Sequence, residues 1–172
     1  MARIERDTLG EVAIADGAWW GPQTQRAIAN FPISGDPLPP ELLEALIHVK
    51  RAAAAVNARR RIISKDVAAA IEAVGAELVA EARFEQFPLD VFQTGSGTST
   101  NMNANEVVSN RAIELLGGQI GSRKPVHPND HVNVCQSSND VIPTAIHIAA
   151  LTAIEEELIP ALRRLQTSLE RR

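Results

Sequence analysis

The sequence predicts a mainly α protein, in which short helices and irregular loops lead into one long final helix. Three observations carry this. Apolar residues recur at spacings of three and four over 41–60, 64–79 and 151–169. Proline and glycine clusters punctuate the chain between those stretches. Polar clusters rich in Ser, Thr and Asn stand directly before two of the helical segments, where helix starts need acceptors for unpaired N–H groups. With 172 residues, 45% of them hydrophobic, the chain has material for about one domain with a sizeable core.

Taken in order, residues 1–21 lack periodicity and are punctuated by Gly10, Gly17 and Gly21, so loops or short strands are expected. Pro22 can open a short helix running to Asn30, since a first-turn proline loses no helical hydrogen bond. Pro32, Pro37, Pro39 and Pro40 impose an extended connection. Leu42, Leu46, Val49, Ala53 and Val56 mark the apolar face of a helix from Glu41 to Arg60. Arg59, Arg60 and Arg61 at its end complement the helix dipole. Ser64 caps the next helix, whose buried side is Val67, Ile71, Val74, Leu78 and Val79. Phe87-Pro88-Leu89 ends that pair and leads into a polar run.

That run, Thr94 to Glu106, holds five hydroxyl and three amide side chains in thirteen positions. Gly95 and Gly97 let the backbone approach a ligand closely. A helix is expected from Val107 to Leu116, stopped by Gly117-Gly118. The run therefore reads as an anion-holding loop at a helix N-terminus. An irregular stretch over 119–136 contains Lys124-Pro125-Val126-His127-Pro128-Asn129-Asp130. Ser137-Ser138-Asn139-Asp140 then opens the last helix, a segment that helix capping alone would justify. Along that helix Leu151, Ile154, Leu158, Leu162, Leu165 and Leu169 form a seam for packing against other helices, and Pro160 should bend it. The seam is still regular at Leu169 with no stop signal after it, so the chain is expected to be an N-terminal piece of something longer.

Several function classes drop out. A net charge of −4 gives no general attraction to nucleic acid or anionic membrane, and no apolar run reaches membrane-spanning length. The acidic N-terminus is neither a signal peptide nor a basic transit sequence, so a cytoplasmic protein is the default. The single cysteine, Cys135, fits a reducing compartment and reads as structural. His127, Asp130 and His131 lack the further carboxylates or thiols a metal site would need, so no metal is expected. His48 and His147 read as surface or packing residues, and Trp19-Trp20 as a core or interface anchor. The neutral donors of 94–105, 127–131 and 137–140 suit the oxygens of a small acid, but a dianion would also need a cation from elsewhere.

Together these segments resemble the class II fumarases of the fumarase/aspartase superfamily. The resemblance spans essentially the whole chain. It begins at Gly21-Pro22-Gln23-Thr24-Gln25-Arg26-Ala27 and Asn30-Phe31-Pro32-Ile33-Ser34, and continues through Lys50-Arg51-Ala52-Ala53-Ala54. It then takes in Gln93-Thr94-Gly95-Ser96-Gly97-Thr98, Asn101-Met102-Asn103, Val126-His127-Pro128-Asn129-Asp130 and Gln136-Ser137-Ser138-Asn139-Asp140. Ser96, His127 and Ser138 favour fumarase over aspartase, which usually differs at all three places.

The resemblance implies the N-terminal domain of the fumarase/aspartase fold over 1–136 and the first part of a long central-bundle helix over 137–172. It implies reversible hydration of fumarate to L-malate in the tricarboxylic acid cycle, by a homotetramer without metal or organic cofactor. Ser96, Gly97 and Thr98 would match the substrate-carboxylate loop, and Ser137, Ser138 and Asn139 a second substrate-binding segment. His127, Pro128, Asn129 and Asp130 would match a secondary anion site, with Lys124 at its basic position. The family's proton-moving groups are expected beyond residue 172, which leaves no catalytic residue in this chain and makes it inactive alone. The competing readings are an aspartase and a non-catalytic module for dicarboxylate binding or assembly.

Overall fold

The computed structural model describes residues 2–171. The unperiodic start is a hairpin: β1 (Arg3–Asp7) pairs antiparallel with β2 (Gly10–Ile14), Arg3 opposite Ile14 and Asp7 opposite Gly10. Helices follow as α1 (Pro22–Asn30), α2 (Pro40–Arg59), α3 (Lys65–Ala80), α4 (Thr98–Leu115), α5 (Ser138–Ala153) and α6 (Ile159–Glu170). The mainly α expectation holds.

Several local signals place their elements as expected. Pro22 opens α1. The Ser64 hydroxyl accepts from the Val67 N–H at 3.2 Å and caps α3. Gly117, at φ +75°, ends α4 in the left-handed region, and the Gly118 N–H reaches back to the Ile113 carbonyl at 2.8 Å. α3 buries Val67, Ile71, Val74 and Leu78.

Two elements differ from expectation. On α2 the buried stripe is Leu43, Leu46, Ile47, Lys50, Ala54 and Asn57, turned away from the predicted one, and Val56 is 40% exposed. The reason is that α2 is sandwiched: α3 packs on one side, α5 on another, so its buried arc takes in a lysine and an asparagine. α4 begins at Thr98 rather than Val107, because Gly97 at φ +65°, ψ +21° closes the loop immediately before it. Most of the polar run is thus helical. Asn101, Asn103, Asn105 and Glu106 are buried side chains of α4.

α4 is the central strut, touched by α1, α2, α3, α5 and a π-helical turn at Pro128–Val132. The core gathers Leu46, Ile47, Ile71, Val74, Leu78, Phe87, Val107, Val108 and Ile113 around it. Trp19 anchors this core. It is 8% exposed, with the Arg83 and Arg111 guanidinium groups 4.5 and 4.9 Å from its ring centroid.

α5 belongs to the body over its first turns, where Val141 and Ala145 are buried, and then leaves it. Leu151, Ile154, Leu158, Leu162, Leu165 and Leu169 are all exposed. The disturbance expected at Pro160 appears as a widened, π-helical turn at Ile154–Leu158, directly ahead of α6. A proline ring collides with the carbonyl four residues earlier, and a wider turn relieves that collision. No helix among the described residues is long and apolar enough to cross a membrane.

Candidate functional site

The polar loop before α4 is held from below. Asp90 accepts from the Ser34 N–H at 2.6 Å, the Gly35 N–H at 2.8 Å, the Phe92 N–H at 2.8 Å and the Ser34 hydroxyl at 2.9 Å. Burial works against its charge, but these donors outweigh it and keep the carboxyl well below the usual carboxylate range. Next to it, the Gln93 amide donates to the Asp90 carbonyl at 2.9 Å and accepts from the Thr100 N–H at 2.9 Å. Gln93 thereby occupies one unpaired N–H of the first turn of α4. The Thr94 hydroxyl accepts from the Ser99 N–H at 3.2 Å.

On this support the Ser96 and Thr98 hydroxyls lie 2.7 Å apart, Ser96 exposed and Thr98 half-buried. Each hydroxyl can donate once and accept twice, so the pair retains capacity for a further oxygen-rich partner. Glycine suits position 97 of the turn. Besides its positive φ, a Cβ there would lie 3.1 Å from two side-chain carbons of Ile142 on α5.

That approach brings the start of α5 beside the start of α4. The Ser137 hydroxyl caps α5 through the Asn139 N–H at 3.3 Å. The Ser138 hydroxyl accepts from the Asn101 amide at 3.0 Å. Asn139 is exposed, and its side chain has no hydrogen bond to the other described residues. The two sequence-predicted sets therefore meet at one junction, joined by Asn101 and Ile142.

Beneath the junction lies a polar cluster that sequence reasoning did not single out. The Asn133 amide oxygen accepts from Asn101 at 3.2 Å and from the Lys50 ammonium nitrogen at 3.0 Å. Lys50 also donates to the Gln136 amide oxygen at 2.9 Å. Lys50 is 1% exposed, and burial lowers its pKa to about 7. The available signal was the spacing Leu43, Ile47, Lys50, Ala54, Asn57, which puts Lys50 on one face with apolar residues.

The predicted secondary set sits farther along α4. The Ser109 hydroxyl donates to the Val126 carbonyl at 2.9 Å, eight residues after Asn101, or about 12 Å along the helix axis. His127 acts as an N-cap: its Nδ1 accepts from the Asn129 and Asp130 N–H groups, both at 3.2 Å. The same Nδ1 lies 3.3 Å from Asp130 Oδ2. The His127 N–H in turn donates to His131 Nδ1 at 2.8 Å. Lys124, Asn129 and Asp130 are exposed, and His127 and Pro128 are half-buried. Cys135, read as structural, is exposed with φ +60°.

The whole arrangement is a pair of helix N-termini, set side by side and lined with hydroxyls and amides. Helix dipoles at such ends favour carboxylates, and the hydroxyls and amides supply the donors, since the Ser99, Thr100 and Asn139 N–H groups are already bonded.

A family model described as lyase matches residues 10–172. A class II fumarate hydratase of Ralstonia nicotianae is 53% identical over 99% of this chain and 37% of its own length. One of Halobacterium salinarum is 54% identical over 98% of this chain and 36% of its own. Among solved structures, a recombinant class II fumarase from Schistosoma mansoni superposes with a TM-score of 0.92 at 39% identity, over 96% of this chain and 35% of its own. The chain thus spans about a third of the length of the relatives it matches. It belongs to the lyase family, and its relatives within that family are class II fumarate hydratases.

Proposed function

We propose that these residues form the carboxylate-gripping N-terminal third of a fumarate hydratase, which adds water reversibly to fumarate to give L-malate. The observation that carries this reading is the junction of the α4 and α5 starts, where the Asn101–Ser138 hydrogen bond holds two clusters of neutral donors side by side.

Ser96, Gly97 and Thr98 bind one carboxylate, and Ser137, Ser138 and Asn139 hold a second part of the same substrate. Proton removal next to a carboxylate builds negative charge on its oxygens. Donors already aimed there stabilise the transition state without rearranging. Groups that move the proton and activate water come from the rest of the enzyme, so this segment alone does not turn over fumarate. Assembly as a homotetramer in the cytoplasm completes the site, and Lys124, His127, Pro128, Asn129 and Asp130 form a secondary anion site.

The test joins residues 1–172 to the remaining two-thirds of the protein, its own or that of the Ralstonia relative. The assembled enzyme should convert fumarate to L-malate, followed by loss of fumarate's ultraviolet absorbance, and the segment alone should not. Release of ammonia from L-aspartate would instead make it an aspartase. Dicarboxylate binding with neither reaction would make it a non-catalytic module.

A further inference from the structure

We propose that Lys50 is a positioning residue, which acts through Asn133 and Asn101 to aim the Ser138 hydroxyl at the substrate carboxylate. The proposal rests on the functional reading above, because it deepens the role of that same junction.

The geometry is a short chain of hydrogen bonds across four elements. Lys50, on α2, donates at 3.0 Å to the Asn133 amide oxygen and at 2.9 Å to that of Gln136. The Asn133 oxygen accepts a second hydrogen bond, from the Asn101 amide of α4, at 3.2 Å. The same Asn101 nitrogen donates at 3.0 Å to the Ser138 hydroxyl at the start of α5. An amide nitrogen has two hydrogens, and here both are committed. A hydroxyl that accepts on one side turns its own hydrogen elsewhere, so Ser138 is left as a donor towards the open junction.

Lys50 is what keeps the middle of this chain in place. Asn133 and Gln136 belong to the connection between the π-helical turn and α5, which has no regular backbone ladder of its own. Two turn bonds hold it, from the Asn133 N–H to the Pro128 carbonyl at 3.0 Å and from the Gln136 N–H to the Asn133 carbonyl at 3.1 Å, and side chains tie it to its surroundings. The Gln136 amide donates to the Val132 carbonyl at 2.7 Å, and the Asn57 amide to the Val134 carbonyl at 3.2 Å. Among the described residues only the Lys50 amine reaches both the Asn133 and Gln136 amide oxygens, and Lys50 is 1% exposed. Burying an amine is unfavourable, and an apolar residue of the same length would pack more cheaply on α2. What the amine adds is a tie from α2 to both side chains, which fixes where Asn133, and the residues entering α5, stand against Asn101 of α4.

A double-mutant cycle in the assembled enzyme tests this. Lys50→Met should lower kcat/KM for fumarate about tenfold. In a Ser138→Ala background the same change should cost less than twofold, since there is no hydroxyl left to aim. A purely structural Lys50 would give equal losses in both backgrounds, and that result overturns the proposal. Should Lys50→Met fail to fold, Asn133→Ala breaks the link from the loop side and must show the same non-additivity. Failure of the unmutated enzyme to hydrate fumarate would overturn the functional reading separately. Amide exchange then decides the positioning role: Lys50→Met should speed exchange over residues 137–141 at least tenfold relative to α3, and unchanged exchange there overturns it.

Discussion

Glu106 receives the Thr24 hydroxyl at 2.7 Å and the Thr24 backbone N–H at 3.0 Å, so an acid buried in α4 holds the first turn of α1. The Gly21 and Gln23 N–H groups complete the grip at 2.9 and 3.0 Å. α1 has no side-chain cap of its own, and Glu106 supplies one from another helix. Burial pushes the Glu106 carboxyl up, while these four donors pull it back. Glu106→Gln puts an amide NH2 against backbone donors. It should cost about 2–3 kcal/mol of stability, read by urea unfolding. A loss below half that amount would show that α1 is held by other contacts.

Lys50 gives a pH signature to stability. Its folded-state pKa is depressed from 10.5 to about 7, so between those values the unfolded chain binds more protons than the folded one. Stability from this group is therefore fully present above 10.5 and lost as pH falls to about 7. The stability difference between wild type and Lys50→Met should shift in favour of the variant as pH drops through that window. A pH-independent difference would contradict the buried, titrating amine.

His127 caps its turn through Nδ1, and in the proposed secondary anion site its Nε2 would face the ligand. Asparagine at an N-cap accepts as well as histidine needs to. His127→Asn should therefore leave thermal stability nearly unchanged and weaken dicarboxylate binding at the secondary anion site by at least fivefold, measured by calorimetry. A large drop in stability with intact binding would reverse the assignment.

Gly97 is predicted to resist substitution. Alanine there meets both the left-handed backbone and the side chain of Ile142, at a cost of about 1–2 kcal/mol for the backbone alone. Gly97→Ala should lower the melting temperature and raise KM for fumarate in the assembled enzyme. An unchanged KM would mean that the loop before α4 does not hold the substrate.

Thr98→Ala removes a hydroxyl together with its hydrogen bond to Ser96, and leaves Gly97 and the Gln93 and Thr94 contacts of the loop in place. Hydratase efficiency should fall at least tenfold, about 1.4 kcal/mol, in steady-state kinetics. Unchanged kinetics would remove Thr98 from the site.

Much of the architecture could be read from short-range signals, and the particular residues explain why. Pro22, Ser64, Ser137 and Gly117 act on their immediate neighbours, so their meaning does not depend on the rest of the fold. α4 defeated the same approach. It is surrounded by other elements, and twelve of its eighteen residues are buried, so it has no polar face from which to recognise a period. Asn101 and Asn103 looked like loop residues because their partners lie in other segments: Asn101 donates to Asn133 and Ser138, and Asn103 to the Gln86 carbonyl. Lys50 was hidden for the same reason, since its acceptors lie more than eighty residues away. The candidate site was legible as residue types. Its junction was not, because Asn101, Ile142 and Lys50 only converge once α2, α4 and α5 have packed.

The outward-facing leucines from Leu151 to Leu169 tie two processes into one. Backbone hydrogen bonding alone barely sustains a helix of this length in water, and among the described residues the apolar side chains of these turns stay exposed. Their order is then borrowed from whatever docks against them. Dilution should melt them while the body around α4 persists, so ellipticity would depend on protein concentration even where the core fluorescence of Trp19 does not.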